Sequence, residues 1–195
     1  MKSALTIVPL LFGICFAGPA APAAKPAAHD TLVNGSFNQP VANGWRQEAN
    51  DYVGIHAISL LKDGGVQVKK EMCGRAAIVQ DVKLPRLDVN FSTRAQFSAQ
   101  ATTTGYYAYS ALVLGFLDQD GENLGETRVY ASAGTLPWKG SGTLHLIPVK
   151  DAATWADTKL NLADELKTNL KGVGAARVKA LRITFESFGS GTDAC

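Results

Sequence analysis

The chain predicts an all-β fold, a β-sandwich of two antiparallel sheets with one short helix. Three observations carry that prediction. Strict alternation of apolar and polar residues runs through the clearest segment, Gly- and Asp-rich turns separate many strand-sized runs, and just one segment has helical spacing.

Residues 1–17 read as an export signal. Lys2 supplies a basic start, and an apolar run from Ala4 to Phe16, interrupted by Thr6, Pro9 and Gly13, leads to small residues near Ala17. The run falls short of the roughly 20 apolar residues that a membrane span needs. No later stretch approaches it, so no membrane span is expected. Cys15 follows Ile14 rather than a small residue, which favours ordinary cleavage over lipidation. Residues 18–30, "GPAAPAAKPAAHD", have the composition of an extended Ala/Pro spacer. The expected folded domain is 31–195, long enough for one real core.

The chain has 19 basic and 17 acidic residues. Loss of Lys2 with the signal leaves a near-zero balance, which argues against nucleic acid or an anionic membrane as partner. Of three cysteines, Cys15 leaves with the signal. Cys73 and Cys195 then remain as an even pair in an oxidising, secreted or periplasmic setting, and a disulfide between them is expected. Closing so long a loop stabilises by about 4 to 5 kcal/mol on the chain-entropy account. The alternative is two free thiols.

Strand patterns follow in order: "DYVGIHAIS", "GVQVKK" and "AAIVQDVKL". The clearest is "VNFSTRAQFSAQA", residues 89–101. Val89, Phe91, Thr93, Ala95, Phe97, Ala99 and Ala101 share one face, and Asn90, Ser92, Arg94, Gln96, Ser98 and Gln100 share the other. "YYAYSALVLGFLDQDG" is apolar on both faces. With Leu112, Leu114 and Phe116 inward, Tyr107, Tyr109, Val113 and Leu117 point the other way. "DQDG" makes a turn into "ENLGETRVYA", and "GTLHLIPV" and "VKALRITFES" supply further strands. Between those two, "NLADELKTNLKG", residues 161–172, spaces Leu162, Leu166 and Leu170 as a helix, with Gly172 where it stops.

The domain opens on "LVNGSFNQPVANGW", residues 32–45. Gly35 and Gly44 mark tight turns, and Phe37 and Trp45 are apolar anchors on either side of a loop, Trp45 being read as core. This opening, together with "IVQDVKL", "LGFLDQDGENL" and "VKALRITFESFGSGTDA", resembles the jelly-roll carbohydrate-binding modules, the galactose-binding-like β-sandwiches of the CenC type. The resemblance spans most of residues 32–194 and implies a jelly-roll sandwich. In that family an acidic residue commonly follows the Phe and helps to hold a structural calcium. Here the place is Asn38, so Asn38 and Asp193 are two oxygen donors where calcium wants six to eight. The family's last strand is also missing after Asp193, and a Cys73–Cys195 bond would secure the end instead.

No constellation for catalysis is visible. His29 lies in the spacer, and His56 and His145 are isolated on strand-like runs. Asp118 and Asp120 flank a turn, and Asp164 and Glu165 suit a helix start. Gly-x-Ser-x-Gly, His-Glu-x-x-His and phosphate-loop motifs are absent. The expectation is therefore no enzyme. A sugar ring needs an aromatic platform and directed hydrogen bonds. Tyr107 and Tyr109 on one strand, Arg94 and Gln96 on another, and Trp138 in "GTLPWKGSG" offer both, provided that the two strands are neighbours. A secreted, non-catalytic carbohydrate-binding protein is the leading expectation. A structural or protein-interaction sandwich of the cell envelope is the alternative. A small jelly-roll polysaccharide lyase comes third and requires a histidine, His145, beside the tyrosines.

Overall fold

A computed structural model of the chain describes residues 32–52, 54–62, 64–102 and 104–190. The expected signal and spacer, Asp193 and Cys195 lie outside the described residues. Among these described residues, ten strands and one α-helix follow in order. They are β1 (Arg46–Asp51), β2 (His56–Leu60), β3 (Val66–Lys70), β4 (Gly74–Lys83), β5 (Asn90–Gln96), β6 (Ala108–Leu117), β7 (Asn123–Ala133), β8 (Leu144–Pro148), β9 (Trp155–Asn161), α1 (Leu162–Thr168) and β10 (Ala180–Gly189).

Six strands form one sheet in the order β1-β4-β10-β6-β7-β8, while β2 pairs with β3 and β5 with β9 as two ribbons. Ile58, Val66 and Val68 of one ribbon and Phe91, Ala95 and Leu160 of the other pack into the same core as Ile78, Leu112, Leu114 and Phe116 of the large sheet. The result is an all-β jelly-roll sandwich with one α-helix. Two details differ from expectation. The second layer is a pair of ribbons rather than one sheet, and β7 and β8 run parallel. A parallel pair cannot be closed by a hairpin. The connection 134–143 therefore carries the chain back along the sheet, and it brings Trp138 with it.

The doubly apolar pattern of β6 has a direct cause. Leu112, Leu114 and Phe116 fill the main core, and Tyr109, Ala111 and Val113 are buried on the opposite face beneath a second cluster of Tyr107, Tyr130, Leu136, Trp138 and Phe188. A strand in mid-sheet with both faces covered has no polar side to show. The alternation in β5 is equally legible, since Phe91, Ala95 and the following Phe97 are buried and Arg94 and Gln96 are exposed.

Helix α1 begins at Asn161, whose side chain accepts from the backbone N–H groups of Ala163 and Asp164, each at 3.1 Å. That cap satisfies two of the helix's orphan donors. Leu162, Leu166 and Leu170 are all buried, as their spacing predicts.

The opening loop is held by one buried amide on β4. Gln80 Oε1 accepts from Val33 N–H at 2.9 Å, and its Nε2 donates to the carbonyls of Val33 at 2.9 Å and Gly44 at 2.8 Å. Phe37 lies 5.1 Å from Trp45, which in turn lies 5.9 Å from Phe185, and Trp45 is buried. Gly44 has φ +96, and a Cβ there would stand 2.7 Å from the Val33 side chain, so only glycine fits. The Asn-Gly-x-Phe and Asn-Gly-Trp pieces thus seat this loop against β4 and β10.

Candidate functional site

The residues singled out in the sequence divide between two faces of the sandwich. Tyr107, Tyr109 and Trp138 gather on the outward face of the six-stranded sheet. Arg94 and Gln96 project from the outward face of the β5–β9 ribbon. The inward faces of both layers meet in one core, so these outward faces point away from each other. The two strands are not neighbours, and the five residues do not form one patch.

On the large sheet the aromatic groups pack on one another. Tyr109 stacks on Phe188 at 5.1 Å and meets Trp138 edge-on at 4.5 Å, Tyr107 stacks on Phe188 at 5.6 Å, and Tyr130 meets Trp138 at 5.3 Å. Tyr109 is only 9% exposed, so its ring faces are occupied and it offers no platform to a sugar. Burial first, and then the charge of Glu186, push its hydroxyl well above the usual tyrosine value. The Arg128 guanidinium lies 4.4 Å from the Trp138 ring centre. Trp138 therefore closes a small second core.

Beside this cluster runs a line of charges across four strands. Glu186 of β10, 5% exposed at its side chain, accepts from Arg75 Nε on β4 at 2.6 Å and from Arg128 Nη1 on β7 at 3.4 Å. Arg75 also donates to Glu48 of β1 at 2.9 Å, and Arg128 to Glu126 at 2.6 Å. Ala111 of β6, opposite Glu186 in register, is small enough to let Arg128 reach past it. Burial lowers the affinity of both guanidinium groups for their protons, but the surrounding carboxylates outweigh it and hold both above the usual arginine value. Each arginine is saturated by carboxylates, which makes this a fixed network rather than a free anion site.

The ribbon face is different. Register places Gln96 opposite Trp155, Arg94 opposite Asp157 and Ser92 opposite Lys159, all on the outward side. Trp155 is 53% exposed, an indole in the open on a two-stranded surface. Arg94 holds its guanidinium over that ring, 5.7 Å from the centroid. Gln96 Nε2 donates to the Ala153 carbonyl, which fixes the amide beside the indole. Sequence reading missed Trp155 because "TWADTKLN" lacks an apolar stripe strong enough to announce a strand. The signal that could have found it is the alternation of Ala156, Thr158 and Leu160 toward the core.

A third group lies under the large sheet, on the core side. Glu165 of α1, 3% exposed at its side chain, accepts from Thr127 Oγ1 at 2.6 Å, His145 Nδ1 at 2.5 Å and Asn169 Nδ2 at 2.7 Å. Burial raises its carboxyl, but the hydrogen bonds from Thr127, Asn169 and His145 outweigh that and leave it below the usual glutamate value. Glu165 is thus a buried acceptor and not simply a helix-start charge. His145 pairs in register with Thr127, whose side chain faces the core, whereas Tyr130 faces outward. The histidine and the tyrosines stand on opposite sides of the sheet, so His145 is not beside the tyrosines as the lyase reading expected.

Asn38 is exposed, and among the described residues no group of three His, Cys, Asp or Glu stands close enough to hold a metal ion. Asp193, its expected companion, lies outside the described residues. Cys73 is buried beside the start of β4, and Cys195 also lies outside the described residues.

No family model and no curated protein matches the chain. Among solved structures, the crystal structure of a loop-swap mutant of Xyn11A from Necallimastix patriciarum, a xylanase on a jelly-roll β-sandwich, is similar over 74% of this chain and 85% of that one, at 11% identity and a TM-score of 0.43. The sequence led us to expect no enzyme. This neighbour is an enzyme, so that expectation is corrected and not carried forward. The match does not single out a carbohydrate-binding module either. At this identity and score it transfers no residue and no activity to this chain.

Proposed function

We propose that this protein recognises carbohydrate on the outward face of the β5–β9 ribbon. The observation that carries the reading is Trp155, a more than half-exposed indole flanked by Arg94, Gln96 and Asp157. An exposed aromatic face supplies the area on which the apolar side of a sugar ring stacks. Guanidinium, amide and carboxylate at its rim supply donors and acceptors for the hydroxyls. The ribbon is held from beneath by Phe91, Ala95 and Leu160, so the platform is rigid. Two of the residues named from the sequence, Arg94 and Gln96, belong to it, and Trp155 takes the part first given to the tyrosines. Export through residues 1–17 and a Cys73–Cys195 disulfide belong to the same proposal.

Affinity electrophoresis of the mature protein through gels containing soluble plant, algal and bacterial polysaccharides tests it. Retardation by a glycan, lost in Trp155→Ala and kept in Tyr107→Ala, is the expected result. Retardation that survives Trp155→Ala moves the site elsewhere, and no retardation on any gel removes the reading. New reducing ends or unsaturated products in the same incubations report whether a bound glycan is also cleaved.

A second reading, an interaction sandwich, is favoured by Tyr52, Ile55 and Met72. These exposed apolar side chains lie on the β1–β2 and β3–β4 turns, where Glu71 N–H donates to the Ile55 carbonyl at 2.9 Å. Cross-linking to an envelope protein, abolished by Met72→Ser with Ile55→Ser, is the result that supports it.

A further inference from the structure

We infer that the ribbon site takes an acidic glycan, one whose sugar carries a carboxylate, with Arg94 as the group that binds the acid. The inference rests on the reading of this ribbon as a sugar-binding face and adds the class of sugar. Of the other six arginines, Arg46, Arg75, Arg128, Arg177 and Arg182 each face a carboxylate, on Glu48, Glu48 and Glu186, Glu126 and Glu186, Asp118, and Asp81 respectively, while Arg86 is exposed, with neither an ion pair nor an aromatic ring beneath it among the described residues. Arg94 makes no ion pair among the described residues, although Asp157 stands directly opposite it in register. It lies instead over Trp155. Stacking on the indole restricts the guanidinium, and among the described residues its N–H donors have no hydrogen-bond partner.

Arginine has five donors and no acceptor, and its planar fork matches a carboxylate in two parallel hydrogen bonds. A sugar stacked on Trp155 directs its ring substituents outward to the rim of the platform. A neutral sugar presents hydroxyls there, for which an amide such as Gln96 suffices. A uronate presents the acid for which a free fork is made. Lys159, on the same outward side beyond Arg94, also makes no ion pair among the described residues, so cations outnumber carboxylates along this line. Charge complementarity of this kind selects partners by sign. The outward face of the large sheet offers no comparable site, because its arginines are already saturated.

The test uses the mature protein and three uronate polymers, polygalacturonate, alginate and hyaluronan, each beside its carboxyl-reduced neutral form. Retardation by at least one acidic polymer, about ten- to hundred-fold weaker with its reduced form, is the expected result, as for loss of a charge-assisted hydrogen bond. Arg94→Gln should remove that preference while Arg94→Lys keeps part of it, and binding should weaken as salt rises. Both changes are at an exposed position, so melting temperatures within about 2 °C of the parent protein show that the fold is intact. Equal binding of acidic and reduced polymers, lost in Trp155→Ala, overturns the acidic preference and leaves the sugar-binding reading standing. A preference for acid that Arg94→Gln leaves unchanged overturns the role of Arg94. No binding of either form of any polymer overturns both.

Discussion

Replacing Gln80 by alanine should loosen the first turn of the domain from its sheet, and the structure sets the size of the effect. The side chain is 6% exposed and makes three hydrogen bonds, all to backbone groups of Val33 and Gly44. Each such bond contributes about 0.5 to 1.5 kcal/mol net, and leaving a buried partner unsatisfied costs about 1 to 3 kcal/mol. Val33 is exposed, so water reaches its backbone once the amide is gone and the contributions do not sum fully. The expected loss is about 2 to 4 kcal/mol. For a domain of this size each kcal/mol moves the melting midpoint by about 2 to 4 °C. Urea unfolding at neutral pH, followed by tryptophan emission, measures it directly, because Trp45 sits under the same loop.

Gln80→Glu separates hydrogen bonding from packing. The introduced carboxyl keeps an acceptor for Val33 N–H but sets an oxygen against the carbonyls of Val33 and Gly44, where an amide N–H₂ stood. Burial and opposed carbonyl oxygens disfavour its charged form, raising its folded pKa above the unfolded value of about 4.3. The folded state then binds the proton more tightly, so this variant is closest to the parent protein in acid. It loses further ground as pH rises through the raised pKa. A midpoint for Gln80→Ala within about 0.5 kcal/mol of the parent would refute the clamp. So would a penalty for Gln80→Glu that is independent of pH.

Three more outcomes follow from buried charge and from the cysteines. Glu165→Gln should cost about 1 to 3 kcal/mol at neutral pH. Because the Glu165 carboxyl is held below its usual value, its contribution is present above the unfolded pKa and lost as pH falls through the folded one. The variant should therefore show a flatter acid limb in a pH series of urea midpoints. Glu186→Gln should cost about 1 to 3 kcal/mol by removing the carboxylate shared between Arg75 and Arg128; an unchanged midpoint would show that this network contributes nothing to folding. Peptide mapping without reductant should give a Cys73–Cys195 cross-linked pair, and reduction should lower stability by about 4 to 5 kcal/mol. Alkylation of both thiols in the unreduced, unfolded protein is the opposing result.

Much of the fold was legible because its physics is local. The period-2 pattern around Phe91, Ala95 and Phe97, the leucine spacing of 162, 166 and 170, and the Asp-Gln-Asp-Gly turn after β6 each depend on neighbours along the chain. Turn chemistry shows the point. Asp118 Oδ1 accepts from the backbone N–H groups of Asp120 and Glu122 at 3.0 Å, as a residue favoured in turns should. Strands β1 and β9 were not legible. "RQEAND" is almost wholly exposed, and it is a strand because β4 offers six residues of register to pair with. Propensity has little say at a sheet edge that the partner strand imposes.

The site was half legible for a related reason. Alternation tells which residues share a face but not what lies over it. Tyr107, Tyr109, Arg94 and Gln96 were all correctly placed as pointing away from the main core. The 134–143 connection then folds back and buries one of those faces under Trp138, while the ribbon keeps its face open. That distinction depends on a parallel crossover, which no local pattern encodes. Glu165 was read only in part, by the same logic. Its place in the first turn of a helix favours a carboxylate whatever lies outside, and only the approach of Thr127 and His145 from other strands makes it a buried acceptor. Exposure of an aromatic ring is therefore the property that the fold decides and the sequence does not. On this chain it moves the proposed sugar platform from the buried Tyr109 to the open Trp155, while Arg94 and Gln96 stay where alternation put them.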